Sequence, residues 1–109
     1  MNQLKKVAVK ENSFIAKMGA KFLKVDNVAL TIGNTIYLHN ATKKDLLSNK
    51  TWLAHELVHV KQYEKLGKMK FLCLYLIECL RKGYHNCKFE VEAREKEKNL
   101  EILNEYQID

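Results

Sequence analysis

The sequence predicts an α+β fold, mostly helical, with a small β-hairpin packed beside one central helix. Apolar residues recur at helical spacing in four separate stretches. Between the first two, Gly33-Asn34 divides a pair of short runs rich in β-branched and aliphatic residues, the pattern of a hairpin. There is no Pro, so helix ends must be set by Gly, Asn and charge. With 109 residues the chain reads as a single domain, 1–109. That length buries one core and leaves little for a second.

In chain order, Asn12-Ser13 caps a helix running to about Leu23, with Phe14, Ile15, Met18 and Phe22 on one apolar face. The hairpin follows as Val28 to Ile32 and Ile36 to Asn40. A three-residue loop, Gly33-Asn34-Thr35, pairs Ile32 with Ile36 and Leu30 with Leu38, gathering the large aliphatics on one face. Thr31, Tyr37 and His39 then share the other. Thr42 to Leu47 reads as a linker or a short helical turn. Ser48 or Asn49 caps a helix running to about Leu66, with Gly67 as its stop. Lys68 to Lys82 is a Leu-rich helix ended by Gly83. Its cysteines, Cys73 and Cys79, read as core. A last helix is expected from about Lys88 to Tyr106, with Phe89, Ala93, Leu100, Leu103 and Tyr106 near one face.

The net charge is +6, carried by the first 50 residues, where nine lysines face three acids. Such a front half attracts nucleic acid, anionic lipid or acidic protein, or is simply a solvated lysine surface. No basic motif interleaved with aromatics favours nucleic acid. The start, Met1 to Lys10, is polar and basic without an apolar signal region. Three cysteines without paired spacing suit reduced thiols, so a cytoplasmic location is expected. The longest apolar run, Phe71 to Ile77, is too short to span a bilayer.

The segment His55-Glu56-Leu57-Val58-His59 carries the chemistry. Residues four apart on a helix lie one above the other, so His55 and His59 can offer two imidazoles to one ion. Zinc (Zn2+) suits neutral imidazole nitrogen, and a catalytic zinc site uses three protein ligands plus water. Glu56 sits where its carboxylate reaches that water without ligating the metal, as general base. This is the H-E-x-x-H pattern. Trp52, Leu53 and Val60 supply apolar residues to bury the helix.

On these residues the stretch His55-Glu56-Leu57-Val58-His59-Val60-Lys61-Gln62 resembles the active-site helix of small bacterial zincin metallopeptidases. The resemblance covers about half the chain, from the hairpin through the helix bearing Glu90. It implies a minimal zincin-like domain and hydrolysis of peptide bonds in a peptide or protein substrate. In that fold the strand before the helix is an edge strand that pairs with extended substrate, which would here be Ile36 to Asn40.

The metzincin branch requires Gly at position 62 and His at position 65, and this chain has Gln62 and Lys65. The gluzincin branch takes its third ligand from a later helix. Phe89-Glu90-Val91-Glu92-Ala93-Arg94 is similar to the Glu-x-x-Ala-Asp pattern of some gluzincins. By that resemblance Glu90 is the ligand and Ala93 packs on the active-site helix. Arg94 stands where the family often has Asp, which puts the usual supporting hydrogen bond in doubt. Glu92 and His85 are rival third ligands. Residues two apart point about 200° apart, so only one of Glu90 and Glu92 can face the ion, and Phe89 and Ala93 mark the side of Glu90. Tyr63, Tyr84 and His85 are candidate donors to a developing oxyanion, and His39 to the cleft wall.

Three functions fit the sequence. The first is a zinc-dependent hydrolase, a metallopeptidase with His55, His59 and Glu90 on the metal and Glu56 as base. A non-catalytic zincin-like binding module is the second, suggested by the small size. The third is a nucleic-acid-associated protease that uses the basic half.

Overall fold

A computed structural model describes residues 4–109. Its elements in order are β1 (Lys5–Lys10), α1 (Phe14–Leu23), β2 (Val28–Ile32), β3 (Thr35–His39), α2 (Lys43–Ser48), α3 (Lys50–Leu66), α4 (Lys68–Lys82), α5 (Lys88–Lys96), a 3-10 segment (Leu100–Glu105) and β4 (Tyr106–Ile108). The fold is α+β, as the sequence predicts.

The helix ends follow local chemistry. The Ser13 hydroxyl accepts from the Ala16 amide, and Asn49 Oδ1 accepts from the Trp52 amide at 3.1 Å. Thr42 and Asp45 form a reciprocal capping box at the start of α2. Gly67 and Gly83, at φ 88° and 81°, stop α3 and α4 in a backbone region that side chains avoid.

The sheet has four strands in the order β2-β3-β1-β4. β1 runs parallel to β3 and β4, while β2 and β3 are antiparallel. The sequence reading missed two of these strands, β1 and β4. The polar stretch before Lys10 contains a central strand whose Val7 is fully buried. Its flanking lysines hide the apolar alternation. The chain's last residues supply the three-residue strand β4.

The hairpin register differs from the expected one. Ile32 pairs with Thr35, Thr31 with Ile36, and Leu30 with Tyr37. The turn is therefore the two-residue Gly33-Asn34. Gly33 has φ 64°, the positive value that a II′ turn needs at its first central position. Turn geometry outweighs the gathering of aliphatics. Opposed residues share a face, so Thr31 lies with Ala29, Ile36 and Leu38 against α3, while Leu30 and Tyr37 face α1. The edge strands are therefore β2 and β4, and β2 is the edge that lies beside α3. The expected edge strand, Ile36 to Asn40, is interior because β1 occupies its far side.

The last helix is also shorter than expected, ending at Lys96. Asn99 caps the 3-10 segment by accepting from the Glu101 amide. The turn lets Ile102 pack on α3 and brings Tyr106 beside Lys5 on β1. A straight helix to Tyr106 would leave β1 without a partner on that edge.

Helix α3 lies at the centre. Leu53, Ala54, Leu57, Val58 and Val60 join Val7, Ile36 and Leu38 of the sheet, Leu46 of α2 and Ala93 of α5 in the main core. A second cluster, Tyr63, Phe71, Cys87 and Phe89, ties α3 to α4 and α5. Phe71 stacks edge-on against both Tyr63 and Phe89, at centroid distances of 4.4 and 4.8 Å. Burial of a side chain of this size contributes about 1.5–3 kcal/mol. Cys73, expected in the core, is instead exposed. Among the described residues no helix is long and apolar enough to cross a membrane.

Candidate metal centre

Burial on nearly every side makes the polar residues of α3 conspicuous. Glu56, His59 and Gln62 are all buried. Buried polar groups must be hydrogen-bonded to be tolerated, and each of these is.

His55 and His59 project from successive turns with ring centroids 5.0 Å apart. Glu90 reaches them from the first turn of α5. Its Oε1 lies 2.9 Å from His55 Nε2 and 3.2 Å from His59 Nε2. The three donor atoms lie within 4.8 Å of one another. Ala93 carries no bulk beyond Cβ, which lets α5 approach α3 closely enough for this.

The far side of each imidazole is also held. His55 Nδ1 lies 2.7 Å from Glu97 Oε1, and a carboxylate accepts only, so Nδ1 bears hydrogen. His59 Nδ1 lies 2.8 Å from Gln62 Oε1. The orientation of Gln62 is fixed because its Nε2 donates to the Phe89 carbonyl at 3.1 Å and to Glu92 at 2.6 Å. Both rings therefore direct Nε2 at the common centre. Two imidazole nitrogens and a carboxylate oxygen with oriented rings can hold a divalent metal ion.

Glu92, the rival ligand, accepts from Gln62 and pairs with Lys96, so it supports the site from behind. His85 is exposed, and its carbonyl accepts from Arg94. Arg94 thus leaves the supporting position, and Glu97, about one turn on, supplies the carboxylate to His55. The Tyr75 hydroxyl donates to Glu90 Oε2. Sequence reasoning missed Thr31, Tyr75 and Glu97. Glu97 lies seven residues after Glu90, two helical turns on, a spacing that signals the shared face. Tyr75 follows Phe71 by four, but nothing in the sequence sets α4 against Glu90.

Glu56 sits beside the cluster. Thr31 Oγ1 on the edge strand β2 donates to Glu56 Oε1 at 2.7 Å. Burial pushes the Glu56 carboxyl above its ordinary range, against the pull of both histidines and Thr31. Burial lowers His55, but the Glu90 hydrogen bond and the Glu56 and Glu97 carboxylates outweigh it and raise the pKa to about 9. His59 is raised in the same way. Burial raises Glu90, but its bonds to both histidines hold it well below the usual carboxylate range. The cluster thus concentrates negative charge that calls for a cation or protons.

Two clefts flank these residues along β2. One, of about 520 Å³, opens beside His55 and Glu97 and includes Asn27, Asn49, Thr51 and Trp52. The other, of about 590 Å³, lies between α1 and α4 over Glu56, His59 and Glu90. Both are bordered by Val28, Ala29 and Tyr84. Of the candidate oxyanion donors, Tyr84 stands at the junction of the clefts, whereas Tyr63 is packed in the aromatic cluster. His39 borders neither cleft.

No curated protein and no solved structure matches the chain. The family model of the eCIS core domain matches residues 2–67, which takes in β1, α1, the β2–β3 hairpin, α2 and all of α3. His55, Glu56, His59 and Thr31 fall within that match, and Glu90 and Glu97 beyond it. Over three-fifths of its length, and through the helix that bears both histidines, the chain belongs to the eCIS core domain family.

Proposed function

We propose that this chain is a zinc-dependent hydrolase of zincin type, a metallopeptidase with His55, His59 and Glu90 as ligands and Glu56 as general base. The observation that carries the reading is the convergence of two oriented Nε2 atoms and one Glu90 oxygen beside a buried, hydrogen-bonded Glu56. Bound there, zinc supplies Lewis acidity, polarising a carbonyl and bringing the pKa of a water to about 7.

The chain's own residues do the rest. Glu56 accepts a proton from the attacking water and delivers it to the leaving amine nitrogen as the carbon–nitrogen bond breaks. Thr31 holds the carboxylate by one oxygen and leaves the other for that transfer. Glu97 and Gln62 keep the imidazoles oriented, and Tyr75 fixes the second oxygen of Glu90. The free edge of β2 positions extended substrate by strand addition beside Glu56. Tyr84, which borders both clefts, would donate to the oxyanion.

Metal analysis of the purified protein tests the ligand set: about one zinc per chain is expected, with loss in Glu90→Ala. Glu56→Gln keeps the metal and loses peptide cleavage. Wild-type protein without zinc, or cleavage that persists in Glu56→Gln, refutes the reading. A second reading, a metal-binding module without catalysis, is favoured by one observation: burial of Glu56 favours its protonated, non-basic form. A zinc-loaded wild type that cleaves no peptide supports that module.

A further inference from the structure

The large apolar side chains of α1, and Leu76 and Leu80 of α4, belong to neither core cluster. α1 packs on the sheet through Ala16 and Ala20, while Phe22 is 74% exposed and Leu80 of α4 is 77% exposed. These residues are not scattered. Ile15, Met18 and Phe22 on α1 face Leu72, Leu76 and Leu80 on α4 across the cleft of about 590 Å³. The floor of that cleft is Glu56, His59 and Glu90. An apolar channel that ends on a buried polar cluster is shaped for a ligand with an apolar part and a reacting polar part.

The strand beside it fixes what the rest of the ligand is. In a two-residue hairpin the pair closing the turn, Ile32 and Thr35, is of the hydrogen-bonded kind. Alternation then leaves the backbone groups of Ala29 and Thr31 pointing away from β3, and both residues border the cleft. An acyl chain would fill the channel and leave those amides unpaired. An extended peptide satisfies both features at once.

We propose that the site takes extended peptide segments carrying a large aliphatic or aromatic side chain, and that the cleft between α1 and α4 receives that side chain next to the scissile bond. The proposal rests on the hydrolase reading above. The second cleft, where Leu23, Val25 and Trp52 alternate with Asn27, Asn49, Thr51 and Glu97, takes the other side of the substrate.

The test uses zinc-loaded protein and a peptide mixture with every residue type at each position, with cleavage sites read by mass spectrometry. One position beside the cut is expected to be enriched in Leu, Met and Phe. Alanine there lowers kcat/KM by on the order of 10-fold or more. The double variant Met18→Ser and Leu76→Ser, at two half-exposed wall positions, flattens the preference and keeps its zinc. Cleavage without an apolar preference, or with one the double variant does not change, overturns the assignment of the cleft and leaves the hydrolase reading standing. If no peptide is cut, the hydrolase reading fails, and binding decides the cleft. A fluorescein-labelled extended peptide with a central Phe should then bind, about 10-fold weaker when the Phe is Ala or the double variant is used. Absent or unselective binding overturns the proposal. So does association with phosphatidylglycerol vesicles, or self-association, that the double variant abolishes while peptide selectivity is missing.

Discussion

Gln62 and Glu97 perform one task at different depths, and this difference sets a measurable ranking. Each accepts the Nδ1 hydrogen of one histidine, Gln62 at 2.8 Å and Glu97 at 2.7 Å. Gln62 is 7% exposed, whereas the Glu97 side chain is 24% exposed. Gln62→Leu leaves the His59 Nδ1–H buried with no acceptor. An unsatisfied buried group costs about 1–3 kcal/mol. The His59 ring also loses the partner that fixes its rotation, and such partners are worth about 10–100-fold in metal affinity. Near one imidazole these effects overlap, so zinc affinity should fall about 100-fold, or about 2.7 kcal/mol. Glu97→Ala opens a position that water enters and partly satisfies, so its loss should stay near about 10-fold. Competition against a chromophoric chelator measures both variants, with far-ultraviolet circular dichroism checking that each is folded. Equal losses, or a folded Gln62→Leu that binds zinc within about twofold of wild type, would refute the orientation argument.

Three further outcomes are expected. Zinc affinity should rise with pH between about 6.5 and 9, by up to about tenfold per pH unit for each proton displaced. In metal-free protein His55 has its pKa raised to about 9, so its proton stabilises the fold fully below about pH 6.5, and that contribution is lost as pH rises through 9. Calorimetry in two buffers of different ionisation enthalpy reads the proton release; no release at pH 7 would contradict it. Thr31→Val removes a donor that lowers the Glu56 pKa, so the acid limb of the pH–rate profile should move to higher pH, with zinc content unchanged. An unmoved limb would remove Glu56 from the role of base. Ala29→Pro deletes an amide that faces away from β3 on an edge strand, where Pro is tolerated. Peptide cleavage should fall about tenfold while the melting temperature holds within a few degrees, and unchanged cleavage would argue against strand addition.

The centre of this protein was legible because its signals are local. The H-E-x-x-H spacing needs only helix geometry, and Asn49, Gly67 and Gly83 mark helix ends by their own backbone preferences. Glu90 was distinguishable from Glu92 because Phe89 and Ala93 mark the buried side. What escaped was set by distant parts of the chain. β1 is a strand because β3 and β4 pair with it, and its lysines conceal this. The hairpin register followed a glycine at φ 64° rather than aliphatic gathering, and that shift put Thr31 over Glu56. The apolar stripe of α1 predicted a buried face. Ala16 and Ala20 pack instead, and the large residues line a cleft.

The placement of the three candidate ligands has a consequence for the lifetime of the protein. Two lie on α3 and one on α5, and α4 with its flanking turns passes between them. An ion gripping all three closes a loop of about 30 residues, as a cross-link does. By the chain-entropy reasoning used for disulfides, such a closure is worth about 3–4 kcal/mol. Ligand excess of about a thousandfold over its dissociation constant gives a similar figure, about 4 kcal/mol. Occupancy would therefore be written into resistance to proteases: the loaded chain survives, and a chelator turns the same chain into prey.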